Sequence, residues 1–116
     1  MPGRPRGQHR LRARPDRPGP RHQRVRRIGD VEAQTEQAMA NIKMLLEEAG
    51  AEMEHLVKLT IYIVDPRYRE VVYRTIGRWT KGVHPISTGL VISALARPEW
   101  LVEVDAIAVI PEGGTK

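Results

Sequence analysis

The chain has no cysteine among its 116 residues. Disulfides, thiolate metal sites and a cysteine nucleophile are therefore excluded. No apolar run approaches the roughly 20 residues that a membrane helix needs. The first residues also lack the apolar core of a secretory signal. These absences predict a cytoplasmic protein that does not span a membrane. No internal repeat and no glycine-rich phosphate loop is present, and Gly113-Gly114 reads as a frayed terminus. His9, His22 and His55 have no partners at metal-ligand spacing. Neither a metal nor a cofactor is expected.

Charge is abundant but unevenly placed. Residues 1–27 hold ten arginines against one acid, Asp16, a net +9. The whole chain is +5, so the other 89 residues carry −4. The tail is basic and the remainder acidic. The tail is also rich in proline and glycine, with Leu11 and Val25 its only large aliphatic residues. Such a segment buries too little apolar surface to offset its ordering entropy. Residues 1–27 are therefore expected to be a disordered or non-native tail, and residues 28–116 a single domain.

From Asp30 the pattern becomes periodic. Asp30 is suited to cap a helix whose apolar stripe is Val31, Ala38, Met39, Ile42, Leu45, Leu46 and Ala49, with Gly50 as its stop. Val57, Leu59, Ile61 and Ile63 alternate with Lys58, Thr60, Tyr62 and Val64, which predicts a strand. Asp65-Pro66 opens a second helix with Tyr68, Val71, Val72, Ile76 and Trp79 inward, ended by Gly82. Ile86 to Leu95 and Trp100 to Ile110 read as two strands joined by a turn at Ala96-Arg97-Pro98-Glu99, hence an antiparallel hairpin. The crossover from the first of these strands to the second should be right-handed. The class is α+β, with two helices on one face of a mixed sheet. A partner subunit is the simplest cover for the other face.

Few residues stand out for chemistry. Glu103 and Asp105 lie two apart on a strand and so share a face. That spacing serves a paired acid site, but a solvated strand face is the commoner meaning. His84 precedes Pro85 in a restricted backbone, where it can bind an anion or shuttle a proton, although a lone loop histidine is more often structural. Ser87 and Thr88 have no neighbouring base to activate a hydroxyl. Trp79 and Trp100 read as packing anchors.

Several stretches together resemble the RidA/YjgF family of enamine/imine deaminases. They are Gln34-Thr35-Glu36-Gln37-Ala38, Asn41-Ile42-Lys43, Glu48-Ala49-Gly50-Ala51, Val57-Lys58-Leu59-Thr60-Ile61-Tyr62, His84 to Val91 and Val102-Glu103-Val104-Asp105-Ala106-Ile107-Ala108. The resemblance covers about two thirds of the chain. It implies a chorismate-mutase-like fold, a homotrimer and a small-molecule cleft between subunits. In active relatives an arginine three positions after the residue matching His84 pairs with the substrate carboxylate, and a glutamate helps position the water that attacks an imine carbon. Here Glu103 matches the glutamate and Ser87 stands at the arginine position. Tyr73 matches an aromatic helix position, Gly89 a frequent cysteine and Glu70 a frequent asparagine. The family's N-terminal hairpin has no counterpart in residues 1–27, so it is expected to be missing or replaced.

The resemblance thus implies Glu103 and Ser87 as catalytic candidates, and Tyr73, His84, Thr88, Gly89 and Glu70 as substrate-binding candidates. A serine hydroxyl is one neutral donor where a guanidinium gives a fixed charge and a two-pronged fork. The expected function is binding of a small metabolite with weak or altered hydrolytic deamination of 2-imino/enamine acids. The alternatives are a non-catalytic ligand-binding trimer, or nucleic-acid binding of a ribonuclease or translation-inhibitor kind through the basic tail.

Overall fold

A computed structural model describes residues 7–13 and 30–110. The elements are strand β1 (Gly7–Ala13), helix α1 (Val31–Glu48), strand β2 (Leu56–Ile63), helix α2 (Arg69–Trp79), strand β3 (Ile86–Val91) and strand β4 (Val102–Ile110). The sheet order is β1-β4-β2-β3. β2 runs parallel to β3 and antiparallel to β4, and β1 runs antiparallel to β4. The expected α+β class, with both helices on one face of a mixed sheet, is what the chain adopts. Among the described residues no helix is long and apolar enough to cross a membrane.

Local chemistry sets both ends of α1. The Asp30 carboxylate accepts a hydrogen bond from the Ala33 amide at 2.9 Å, which satisfies one of the orphan donors of the first turn. At the other end Gly50 takes φ +81, a left-handed conformation that costs a Cβ-bearing residue strain. That turn lets the Ala51 amide reach Leu46 O at 2.8 Å and the Gly50 amide reach Glu47 O at 3.1 Å. The helix buries Ala38, Met39, Ile42 and Leu46, while Ala49 is exposed.

Asp65 caps the short turn Pro66–Tyr68 that leads into α2. α2 buries Val72, Thr75 and Ile76. The helices are joined by Arg78, which donates to Glu32 at 3.0 Å and Glu36 at 2.8 Å, and by the Trp79 indole, which donates to Glu36 at 2.9 Å. Against the helices lie Leu56, Leu59, Ile61 and Ile63 of β2 and Val102, Val104, Ala106 and Ala108 of β4, all buried.

Three expectations need correction. β3 and β4 do not form a hairpin, because β2 lies between them. β3 ends at Val91 and β4 starts at Val102, so residues 92–101 form a connector too long for a tight turn. Gln34 of α1 fixes that connector. Its side-chain amide donates to Glu99 O at 3.0 Å and accepts from the Leu101 amide at 2.8 Å. β2 also starts one residue early, with Leu56 in the core and Val57 40% exposed. A register shift between Leu56 and Lys58 puts Val57 out of step, as a bulge does.

The third correction concerns the basic tail. Gly7–Ala13, within the tail expected to be disordered or non-native, pairs along β4, from Gly7 opposite Ile110 to Ala13 opposite Val104. Ladder hydrogen bonds come from the backbone, so pairing does not require apolar alternation along the strand. Leu11, opposite the buried Ala106, adds an apolar contact with the core. The rest of the tail and the Gly113-Gly114 terminus lie outside the described residues.

Candidate functional site

The pairing register sorts the candidate residues by sheet face. Ser87 is level with the buried Leu59 and Gly89 with the buried Ile61, so both belong to the helix side. Thr88 is level with Thr60, and Thr60 with Asp105. Leu90 is level with Tyr62, and Tyr62 with Glu103. Thr88 and Glu103 therefore face away from the helices. His84 sits exposed in the loop that precedes β3.

On the helix side Tyr73 reaches across from α2 to β3. A Cβ at Gly89 would collide with the Tyr73 hydroxyl and would lie 3.0 Å from its ring Cζ. Glycine is needed there for close approach, not for a special backbone angle. Arg69 lies one turn before Tyr73, with its Cζ 5.1 Å from the ring centroid, a cation–π distance. Arg69, Glu70, Tyr73 and Arg74 occupy one face of the helix and, with Pro66 and Arg67, line an open cleft.

The cleft has an uneven charge balance. Arg67 is held by Asp65 through Nε at 3.0 Å and Nη2 at 2.7 Å. The hydrogen bonds from the Arg67 side chain, reinforced by its amide, lower the Asp65 carboxyl from 3.8 to about 2. Arg69 and Arg74 have no carboxylate partner among the described residues. Two uncompensated guanidinium groups therefore face a single carboxylate, Glu70.

The far face has its own polar centre. Asp105 is 4% exposed, and the Tyr62 hydroxyl donates to it at 3.4 Å. Glu103 beside it is half-buried. The expected sharing of one face by Glu103 and Asp105 is observed, but Asp105 is a buried, hydrogen-bonded group and not a solvated one. β3 is exposed along its whole length, with Ile86 70% and Leu90 43% exposed on the far face.

Within one chain the candidates therefore form two groups. Ser87, Gly89, Tyr73 and Glu70 gather on the helix side, and Thr88 and Glu103 lie on the reverse. Sequence reasoning missed the ring-stacked position of Arg69, although its spacing of four from Tyr73 on a helix was a usable signal. It also missed the Tyr62–Asp105 contact, which depends on strand pairing and had no local signal.

Two helices laid across one side of this mixed sheet define a chorismate-mutase-like α+β protein. The family model described as Endoribonuclease L-PSP matches residues 18–110, and the chain belongs to this family, the RidA/YjgF family. It is 40% identical over 81 residues to the protein DfrA of Myxococcus xanthus, spanning 70% of this chain. It is 32% identical over 80 residues to a RutC family protein of Pyrococcus abyssi, spanning 69% of this chain. These matches extend over 61% and 62% of the two relatives' lengths. Among solved structures, a conserved Rid-family protein of unknown function from Yersinia pestis superposes with a TM-score of 0.72 at 31% identity, over 86% of this chain and 77% of that one. A Mycobacterium tuberculosis member of the YjgF/YER057c/UK114 family superposes with a TM-score of 0.77, over 92% and 82% of the two chains. Its 23% identity makes it a likeness of fold.

Proposed function

We propose that the protein binds a small 2-imino or enamine acid, or the matching 2-oxo acid, in a cleft completed by a second copy of the chain, and hydrolyses the imine slowly. The observation that carries this reading is the division of the candidate residues between opposite faces of the sheet, with Ser87, Gly89 and Tyr73 on the helix side and Thr88 and Glu103 on the reverse. A single chain cannot bring Glu103 to the Ser87–Tyr73 group through its own sheet. A neighbouring copy packed on the far face and the exposed β3 edge can bring one group of each kind together. The homotrimer implied by the family resemblance meets this requirement, and it also covers Ile86 and Leu90.

In this reading the carboxylate of the ligand lies against the helix side of β3, where Ser87 and the adjoining backbone offer neutral donors. Glu103 of the neighbouring copy accepts a proton from a water molecule as its oxygen bonds to the imine carbon. That proton passes to nitrogen to give a carbinolamine. The carbinolamine hydroxyl proton then also moves to nitrogen as the C=O forms and the carbon–nitrogen bond breaks, so ammonia leaves and a 2-oxo acid remains. Without a strand guanidinium, ground-state and transition-state binding are both weakened.

Purified full chain incubated with freshly generated 2-iminopropanoate tests the reading, with ammonia and pyruvate measured together. Release above the uncatalysed rate supports slow deamination. No release, with pyruvate still bound, leaves a non-catalytic ligand-binding trimer. Cleavage of RNA without either property would replace the reading with a ribonuclease one. Sedimentation equilibrium measures the oligomer directly.

A further inference from the structure

The sequence leaves no arginine on β3 to hold a carboxylate, yet the cleft along α2, whose Tyr73 touches β3 at Gly89, carries excess positive charge. Of its three lining arginines, Arg67 is neutralised by Asp65 through a two-pronged contact. Arg74 is exposed and lies one residue beyond Tyr73. Arg69 differs from both. Its guanidinium is placed over the Tyr73 ring, and the hydroxyl of that same ring rests on Gly89, two residues along the strand from Ser87. Ser87 and Gly89 are on the same face, about 7 Å apart along the strand. A phenol ring is thus bounded by the Arg69 guanidinium on one side and by β3 on the other.

We propose that Arg69 supplies the carboxylate-binding guanidinium of the cleft, from helix α2, in place of the strand residue occupied by Ser87. The proposal rests on the reading that the cleft takes a small organic acid. Stacking on Tyr73 restricts the Arg69 side chain, so less rotamer entropy is lost when it engages a ligand. The planar fork presents two parallel donors to a carboxylate. Glu70, next to Arg69, supplies a negative group for a protonated imine or amine nitrogen. The cleft therefore favours a small molecule with a carboxylate and a cationic nitrogen close together. Another open cleft, between α1 and α2, lacks these features, because Glu36 in its lining is already engaged by Trp79 and Arg78.

The test is a titration of isotope-labelled full chain with pyruvate, and separately with pyruvamide, which lacks the carboxylate. Amide shifts along β3 and α2 are followed by NMR. The wild type should bind pyruvate more tightly than pyruvamide. Arg69→Ala should weaken pyruvate at least 10-fold and leave pyruvamide unchanged, with an unaltered melting temperature because Arg69 is exposed. Arg69→Lys should fall between, and Lys43→Ala, remote and exposed, should match the wild type. Adding Ser87→Arg to Arg69→Ala should restore the preference for pyruvate. Undiminished pyruvate binding by Arg69→Ala, or a loss confined to Arg74→Ala, would overturn the assignment and leave the functional reading intact. Failure of the wild type to bind pyruvate at all would overturn the functional reading, and the assignment with it.

Discussion

The hydroxyl of Tyr73 rests on Gly89, so that α2 touches the edge strand where only a hydrogen atom leaves room. This contact joins the helix that carries Arg69 and Arg74 to the strand that carries Ser87. Gly89→Ala should push the ring off the strand. An overpacking cost of about 1–3 kcal/mol is expected, read as a lower urea midpoint with an unchanged slope. Ligand binding in the cleft should weaken in parallel. Adding Tyr73→Phe removes the atom that collides first, so the double variant should recover part of the lost stability.

Ser87→Arg returns a guanidinium to the strand. Ser87 is exposed and at an edge, so the longer side chain fits without disturbing the core. Charge-assisted hydrogen bonds contribute roughly 1.5–3 kcal/mol, which corresponds to a rise of about 10- to 100-fold in kcat/KM for 2-iminopropanoate. Ammonia release under single-turnover and steady-state conditions measures it. An unchanged kcat/KM would mean that the carboxylate does not dock beside residue 87.

Gln34 is 2% exposed and holds the connector between β3 and β4 through both ends of its amide. Gln34→Ala leaves a part-buried amide and a carbonyl without that partner, at a cost of about 1–3 kcal/mol. Faster hydrogen exchange at the Leu101 amide should accompany the lower stability, while the amides in the middle of α1 keep their protection. Gln34→Glu keeps the acceptor and loses the donor, so it should be intermediate at neutral pH.

Asp65 gives a pH signature. Hydrogen bonds from the Arg67 side chain and amide lower its carboxyl from 3.8 to about 2. A depressed carboxyl favours the folded state whenever it is ionised. Its contribution is therefore complete above the ordinary value of 3.8 and is lost as pH falls through about 2. A carboxyl-carbon NMR titration should show a midpoint near 2 for Asp65 in the folded protein. Arg67→Ala should move that midpoint up towards 3.8, and the start of α2 should then fray at a higher pH.

Helix limits and the inward set of each helix follow from nearest neighbours along the chain. Asp30, Gly50, Asp65-Pro66 and Gly82 act within one turn of where they stand, and their effects need no distant contact. The apolar alternation of Leu59, Ile61 and Ile63, and of Val102 and Val104, likewise marks strands because successive side chains point to opposite faces. Alternation does not name the partner strand. For that reason β3 and β4 read as a hairpin, although β2 lies between them and Gln34 holds the long connector. The bulge at Val57 and the pairing of Gly7–Ala13 were hidden for a related reason, since backbone ladder bonds are made by groups that every residue except proline carries. The placement of Arg69 over Tyr73, of Tyr73 on Gly89, and of Glu103 on the opposite side of the sheet arises only when α2 packs on β3, because those residues come from separate elements and meet through long-range packing.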